Sequence, residues 1–203
     1  TANAFVELVK EHGHEKYDLM LNETQTHQVI EDVRSRFSDL GVLYLSHANE
    51  RVLSAEFTRN DVAFHQLFAV SPHVFLRRGH PLTALGSITL EDLRPYPKLG
   101  FVQGRYESTS YAEDPFNDIE ADRTIRVSDR AAIENLMIGL DGYTIATGIL
   151  PNRLHGDDIV SLPLDADERM RIGYITNTGQ TLSELASAYV DKLRQYGTNE
   201  ETR

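Results

Sequence analysis

The chain has 203 residues, with 20 Lys+Arg against 31 Asp+Glu and a formal net charge of −11. It has no Cys and no Trp, and 40% of it is hydrophobic. That excludes a disulfide scaffold, a cysteine-based zinc site and a thiol nucleophile, and the regular Leu, Val and Ile spacing excludes disorder. No apolar run approaches the roughly 20 residues that span a bilayer, and the acidic balance disfavours nucleic-acid binding by this segment, since phosphate contacts need clustered Lys and Arg. One large domain or two small lobes remain, with ample chain for a core.

The opening Thr1-Ala-Asn-Ala-Phe5 has no Met and lacks the basic, apolar, small-residue order of a signal peptide. It runs into an amphipathic helix with Phe5, Leu8, Val9 and His12 at i, i+3, i+4 and i+7, closed by Gly13. A chain that begins inside a helix is expected to be part of something longer. Residues 17–22 (YDLMLN) read as a buried strand. A Glu23-Thr-Gln-Thr26 cap then opens a helix carrying Val29, Ile30, Val33 and Phe37. Asp39-Leu-Gly41 ends that helix, and 42–45 is a second apolar strand. Short apolar runs alternating with helices point to parallel βαβ units.

Residues 50–60 read as helical, and 67–76 as one long extended run interrupted by Pro72. After a turn-rich break at 79–86, residues 87–93 form a short helix capped by Thr89 and stopped by Pro95 and Pro97. Strands are expected at 98–102, 124–127, 143–146, 159–164 and 170–175. Residues 105–122 are ambiguous, with room for one helix. Ser128-Asp129 caps a helix bearing Ile133, Leu136, Met137 and Leu140, which Asp141-Gly142 ends, and 182–196 is a long final helix. Strand, cap, helix, Asp-Gly, strand thus occurs twice, at 17–45 and 124–146, as expected of two similar lobes or of any α/β protein.

The common catalytic patterns are absent: no G-x-S-x-G elbow, Walker loop, G-x-G-x-x-G or H-E-x-x-H. His12 and His14 flank Gly13 in a metal-like spacing but sit at a helix stop. Asp165, Asp167 and Glu168 lack the glycine and spacing of a calcium loop and read as a solvated turn. His47 follows a strand, with no partner supplied by the sequence. More informative are uncharged polar residues just beyond strand ends: Thr24, Thr26, Ser46, Gln103-Gly104, Ser128 and Thr147-Gly148. Open α/β folds bind ligands there, and free helix N–H groups with hydroxyls suit a carboxylate or another small anion. Each position alone is better explained by helix capping; their recurrence at five strand ends favours a binding cleft.

Three stretches then stand out together: Leu21-Asn-Glu-Thr-Gln-Thr26 through Asp39-Leu-Gly41; His80-Pro-Leu82 followed by Ile88-Thr-Leu-Glu-Asp-Leu93-Arg-Pro-Tyr-Pro97; and Ile133 through Gly142-Tyr-Thr-Ile-Ala146. In this order they resemble the effector-binding domain of the LysR-type transcriptional regulators, over nearly the whole chain and least at 104–122. The resemblance implies an α/β fold of the type II periplasmic-binding-protein kind, two α/β lobes joined by two crossover strands. Lobe I would be 1–74 plus 174–203 and lobe II 75–173, with the crossovers near 67–76 and Thr147 and a small-molecule effector in the cleft between the lobes.

Carried over by position, Thr24, Thr26, Ser46, Gln103, Gly104, Ser128, Thr147 and Gly148 would line the effector site. The family's pairing of a first-lobe helix with a second-lobe helix of another subunit would place Phe5, Val6, Val9, Asn135 and Ile138 in a dimer interface; Met137 and Ile138, on adjacent faces, supply more apolar surface than one core uses. The resemblance also implies a winged helix-turn-helix with its linker, and a first strand before the opening helix, neither of which this sequence contains. The expected function is therefore ligand sensing and dimerisation or tetramerisation in a cytoplasmic regulator, with operator DNA reached only through the missing domain. No cofactor, metal, catalytic residue or membrane role is expected. A solute-binding protein of the same fold, or an enzyme on a related cleft fold, stays open at this point.

Overall fold

The structure, a computed structural model, describes residues 1–12, 16–102, 111, 115–116, 121–148 and 158–198. The chain divides into two compact units. The first comprises Thr1–Leu45, Arg51–Ala69 and Arg171–Arg203; the second comprises Ser46–Glu50 and Val70–Met170.

In the first unit, helix α1 (Ala2–His12) buries Ala4 and Leu8, an i, i+4 pair on one face. That face meets Tyr189 and Leu193 of α6 (Glu184–Thr198). Polar contacts reinforce the seam: the Tyr189 hydroxyl donates to the Thr1 carbonyl at 3.2 Å, the Tyr196 hydroxyl to Glu7 at 3.0 Å, and Lys192 pairs with Glu11. Burial, with nearby Tyr196 and Glu23 for Tyr189 and the Glu7 bond for Tyr196, pushes both phenols up to about 12, so both remain donors at neutral pH.

The sheet of this unit runs β1 (Gly41–Leu45), β8 (Met170–Asn177), β2 (Val62–Val70). β1 lies antiparallel to β8, with Gly41 opposite Ile175 and Leu45 opposite Arg171. Successive residues of β1 serve opposite layers, as the strand's period of two requires. A Cβ at Gly41 would strike Val29 of α2 (Thr26–Arg34), whereas Val42 packs with α1 and α6. Helix α3 (Glu50–Arg59) buries Leu53 and Phe57, and Phe57 stacks on Phe64 of β2 at 6.1 Å. Each such fully buried apolar side chain contributes roughly 1.5–3 kcal/mol.

In the second unit, β3 (His73–Arg77) lies between β6 (Thr144–Ala146) and β7 (Ile159–Pro163), antiparallel to both. Strands β4 (Lys98–Phe101) and β5 (Thr124–Val127) pair in parallel, and Lys98 also bridges Tyr143 in parallel. Val74, Leu76, Leu82, Ile88, Leu93, Tyr143, Ile145 and Leu164 form one core. Leu99, Ile133 and Met137 form a second, beneath α5 (Arg130–Leu140). Between β3 and β4 lie a 3₁₀ turn (Pro81–Ala84) and the one-turn helix α4 (Leu90–Leu93), which Thr89 and Asp92 open with a reciprocal capping box.

Several expectations need correction. Residues 17–22 form no strand; Tyr17, Met20 and Leu21 are exposed, and without a ladder an apolar run has no reason to be extended. The single run at 67–76 is two strands, because Pro72 removes a ladder donor between Val70 and His73. Pairing is predominantly antiparallel, since β8 returns beside β1 and both neighbours of β3 oppose it. Met137 is core, 1% exposed, and adds nothing to an outer surface. The ambiguous stretch at 105–122 and Gly13 lie mostly or wholly outside the described residues.

Candidate functional site

Helix starts decide where a polar ligand could find unsatisfied donors, because the first four N–H groups of a helix have no intrahelical partner. Asp129 Oδ1 accepts from the Ala132 N–H at 2.8 Å and closes the start of α5. The Ser183 hydroxyl does the same for α6, accepting from Ala186 at 3.2 Å. At α2 the N-cap residue Gln25 is extended, with φ −69° and ψ 149°, and its side chain makes no cap bond. Thr24 is half-buried and Thr26 buried at this start, both in the first unit.

Ser46 follows β1 directly. Its residue is 2% exposed, and its hydroxyl is buried without a hydrogen-bond partner. Its backbone is fully engaged: the N–H donates to Asn49 Oδ1 at 2.8 Å, and the carbonyl accepts from Asn49 and Glu50 N–H at 3.3 and 3.0 Å. The turn is thus rigid around an unused hydroxyl. Leaving such a group unsatisfied costs about 1–3 kcal/mol, so it calls for an explanation such as a ligand. Asn49, buried and holding the turn, carried no sequence signal, because a lone Asn before a helix reads only as a cap.

The remaining expected positions differ in character. Ser128 is exposed beside the capping carboxylate of Asp129, which disfavours an anion there. Thr147 and Gly148 follow β6 and are half-buried. Gly148 adopts φ +80°, and a Cβ on it would lie 2.6 Å from His73 Nδ1. The His73 ring, whose Nδ1–H donates to the Ser71 carbonyl at 3.1 Å, thus covers this backbone and was not singled out by the sequence. Gln103 and Gly104 lie outside the described residues. Of the described positions, Thr24 and Thr26 belong to the first unit, and Ser46, Ser128, Thr147 and Gly148 to the second.

Other candidates are structural. His12 Nδ1 bonds the Leu8 carbonyl within its own helix at 3.1 Å, and His14 lies outside the described residues. Glu168 accepts from the backbone N–H of His47 and of Arg169, at 3.2 and 3.1 Å, and so serves a turn. Among the described residues no group of three His, Asp or Glu is arranged to hold a metal.

Two helices carry a second apolar stripe besides the buried one. On α1, Val6 is 41% exposed and Val9 half-buried, off the Ala4–Leu8 face, whereas Phe5 packs edge-on against Tyr189 of α6 at 6.0 Å and borders the buried seam. On α5, Asn135 and Ile138 lie off the Ile133–Met137 face, with Ile138 47% and Leu140 48% exposed.

These features define an α/β protein of the type II periplasmic-binding-protein kind. A family profile for the LysR substrate binding domain matches residues 5–198, and the chain belongs to that family. Solved structures of similar fold include HinK, a LysR family transcriptional regulator from Pseudomonas aeruginosa (14% identity, TM-score 0.63, 97% of this chain and 65% of HinK). They include the effector binding domain of QuiR in complex with shikimate (20% identity, TM-score 0.62, 98% of this chain and 90% of QuiR's). A third is the reduced OxyR regulatory domain from a Pseudomonas (17% identity, TM-score 0.64, 95% and 89%). The chain spans 65% of HinK and 63% of full-length BenM, about two thirds of such regulators. No curated protein sequence is a significant match. No helix among the described residues is long and apolar enough to cross a membrane.

Proposed function

We propose that this chain is the ligand-sensing and self-associating part of a cytoplasmic LysR-type transcriptional regulator. Its effector is a small polar or anionic metabolite held at Thr24, Thr26 and Ser46, with Ser128, Thr147, Gly148, Gln103 and Gly104 as further contacts. The observation that carries the reading is the buried, unpartnered Ser46 hydroxyl, supported by the start of α2, where the Gln25 side chain makes no cap bond. The two-lobe division at 1–74 plus 174–203 and 75–173 is part of the proposal. The outer stripes of α1 and α5, through Phe5, Val6, Val9, Asn135 and Ile138, form the homodimer contact. Effector binding biases the equilibrium between conformations, and so the placement of a DNA-binding domain on its operator. Family membership and the regulators of similar fold favour this over transport or catalysis.

A thermal-shift series with shikimate, which QuiR's domain binds, together with benzoate, succinate and inorganic phosphate tests it. A ligand at one hundred times its Kd stabilises the folded state by about 2.7 kcal/mol. At least one carboxylate is expected to raise Tm measurably in the parent chain and not in Ser46→Ala or Thr26→Val. Identical shifts in parent and variants would place the ligand elsewhere.

A further inference from the structure

His80 is 1% exposed, and both of its ring nitrogens are committed. Nδ1 accepts from the Leu82 N–H at 3.1 Å, capping the 3₁₀ turn after β3. Nε2 lies 3.2 Å from the Asp141 carbonyl, which can only accept, so Nε2 carries the proton and donates. The ring is therefore neutral and fixed in one tautomer. Asp141 is itself unusual: a non-glycine residue at φ 52°, ψ 37°, ending α5 in the left-handed region, with its carboxylate paired to Arg77 at the end of β3. The described titratable or charged groups facing His80 are Asp141 from α5, Arg77 from β3, and Tyr96, whose ring lies 4.3 Å away beyond α4.

We infer that His80 is an acid-sensitive latch that fastens the C-terminal end of α5 to the turn after β3, and that protonation releases it. A proton on Nδ1 would turn the acceptor into a second N–H aimed at the Leu82 N–H, so the cap is lost outright. The released end carries the exposed Ile138 and Leu140, but the latch does not depend on what those residues contact. Burial, the largest influence, holds the imidazole below its ordinary value, outweighing the attraction of Asp141, so opening belongs to the acid side of about pH 6.5.

Hydrogen exchange of the chain at pH 7.5 and 5.5, corrected for the intrinsic pH dependence of exchange, tests this. Protection at Leu82 and over the last turn of α5 is expected to fall about tenfold at the lower pH, the loss of roughly one buried hydrogen bond. His80→Asn, which keeps an acceptor near the Nδ1 position and cannot titrate, is expected to abolish that pH dependence. Should the variant fold poorly, imidazole ¹⁵N shifts of the parent chain decide: the expected spectrum is a single Nε2–H tautomer titrating below the ordinary imidazole value of about 6.5. Equal protection at both pH values, or a His80 titrating at or above the ordinary imidazole value of about 6.5, would overturn the latch.

Discussion

Gly173 of β8 leaves no room for a side chain in the sheet of the first unit. A Cβ there would meet the Phe64 ring and lie 2.5 Å from the His65 backbone carbonyl, which cannot turn away. Gly173→Ala is expected to cost about 1–3 kcal/mol, the usual penalty of overpacking, read as a lower midpoint in urea. Asp129→Ala removes the side-chain cap of α5 and should cost about 1 kcal/mol. His80 adds a pH term whose sign is fixed. Its folded value lies below the unfolded one, so its contribution is present above about pH 6.5 and is lost as pH falls through the folded value. Asp141, lowered chiefly by the Arg77 bond, acts in the same direction at lower pH. Capping was legible in the sequence at Thr89 and Ser128-Asp129, because a cap and its helix are neighbours in the chain. The His80–Asp141 bond was not, because 61 residues separate its partners and only folding brings them together.

Elements with a strong helical period were read well: α1, α5 and α6 fall where the apolar spacing put them. Strands were read less well, because a strand is defined by a partner that local pattern does not reveal. Residues 17–22 have strand composition and no ladder, and β3 owes its central position to partners in β6 and β7 that lie 69 or more residues away. The second stripes on α1 and α5 bear directly on self-association. Val6→Glu and Ile138→Glu alter exposed positions, so each should change stability by no more than about 0.5 kcal/mol. If those stripes form the homodimer, both variants should sediment as monomers at concentrations where the parent chain dimerises. A dimer unaffected by either substitution would place the interface elsewhere.

At the scale of the whole molecule, a net charge of −11 and division into two α/β units agree with a sensor whose DNA contacts lie in a separate domain. The family was legible from three short motifs, and the profile match over residues 5–198 bears it out. The effector site was legible only as a set of positions. Sequence could not rank them, because ranking depends on which hydroxyls end buried without a partner and which helix starts are already capped. On that basis Ser46 and the start of α2 outrank Ser128. The most direct measurement is hydrogen exchange with and without the carboxylate that most raises Tm, each at saturation. Added protection at 24–28 and 46–50 is predicted, exceeding any change at the start of α5. Protection confined to other segments, or no change from any ligand in the series, would contradict the account.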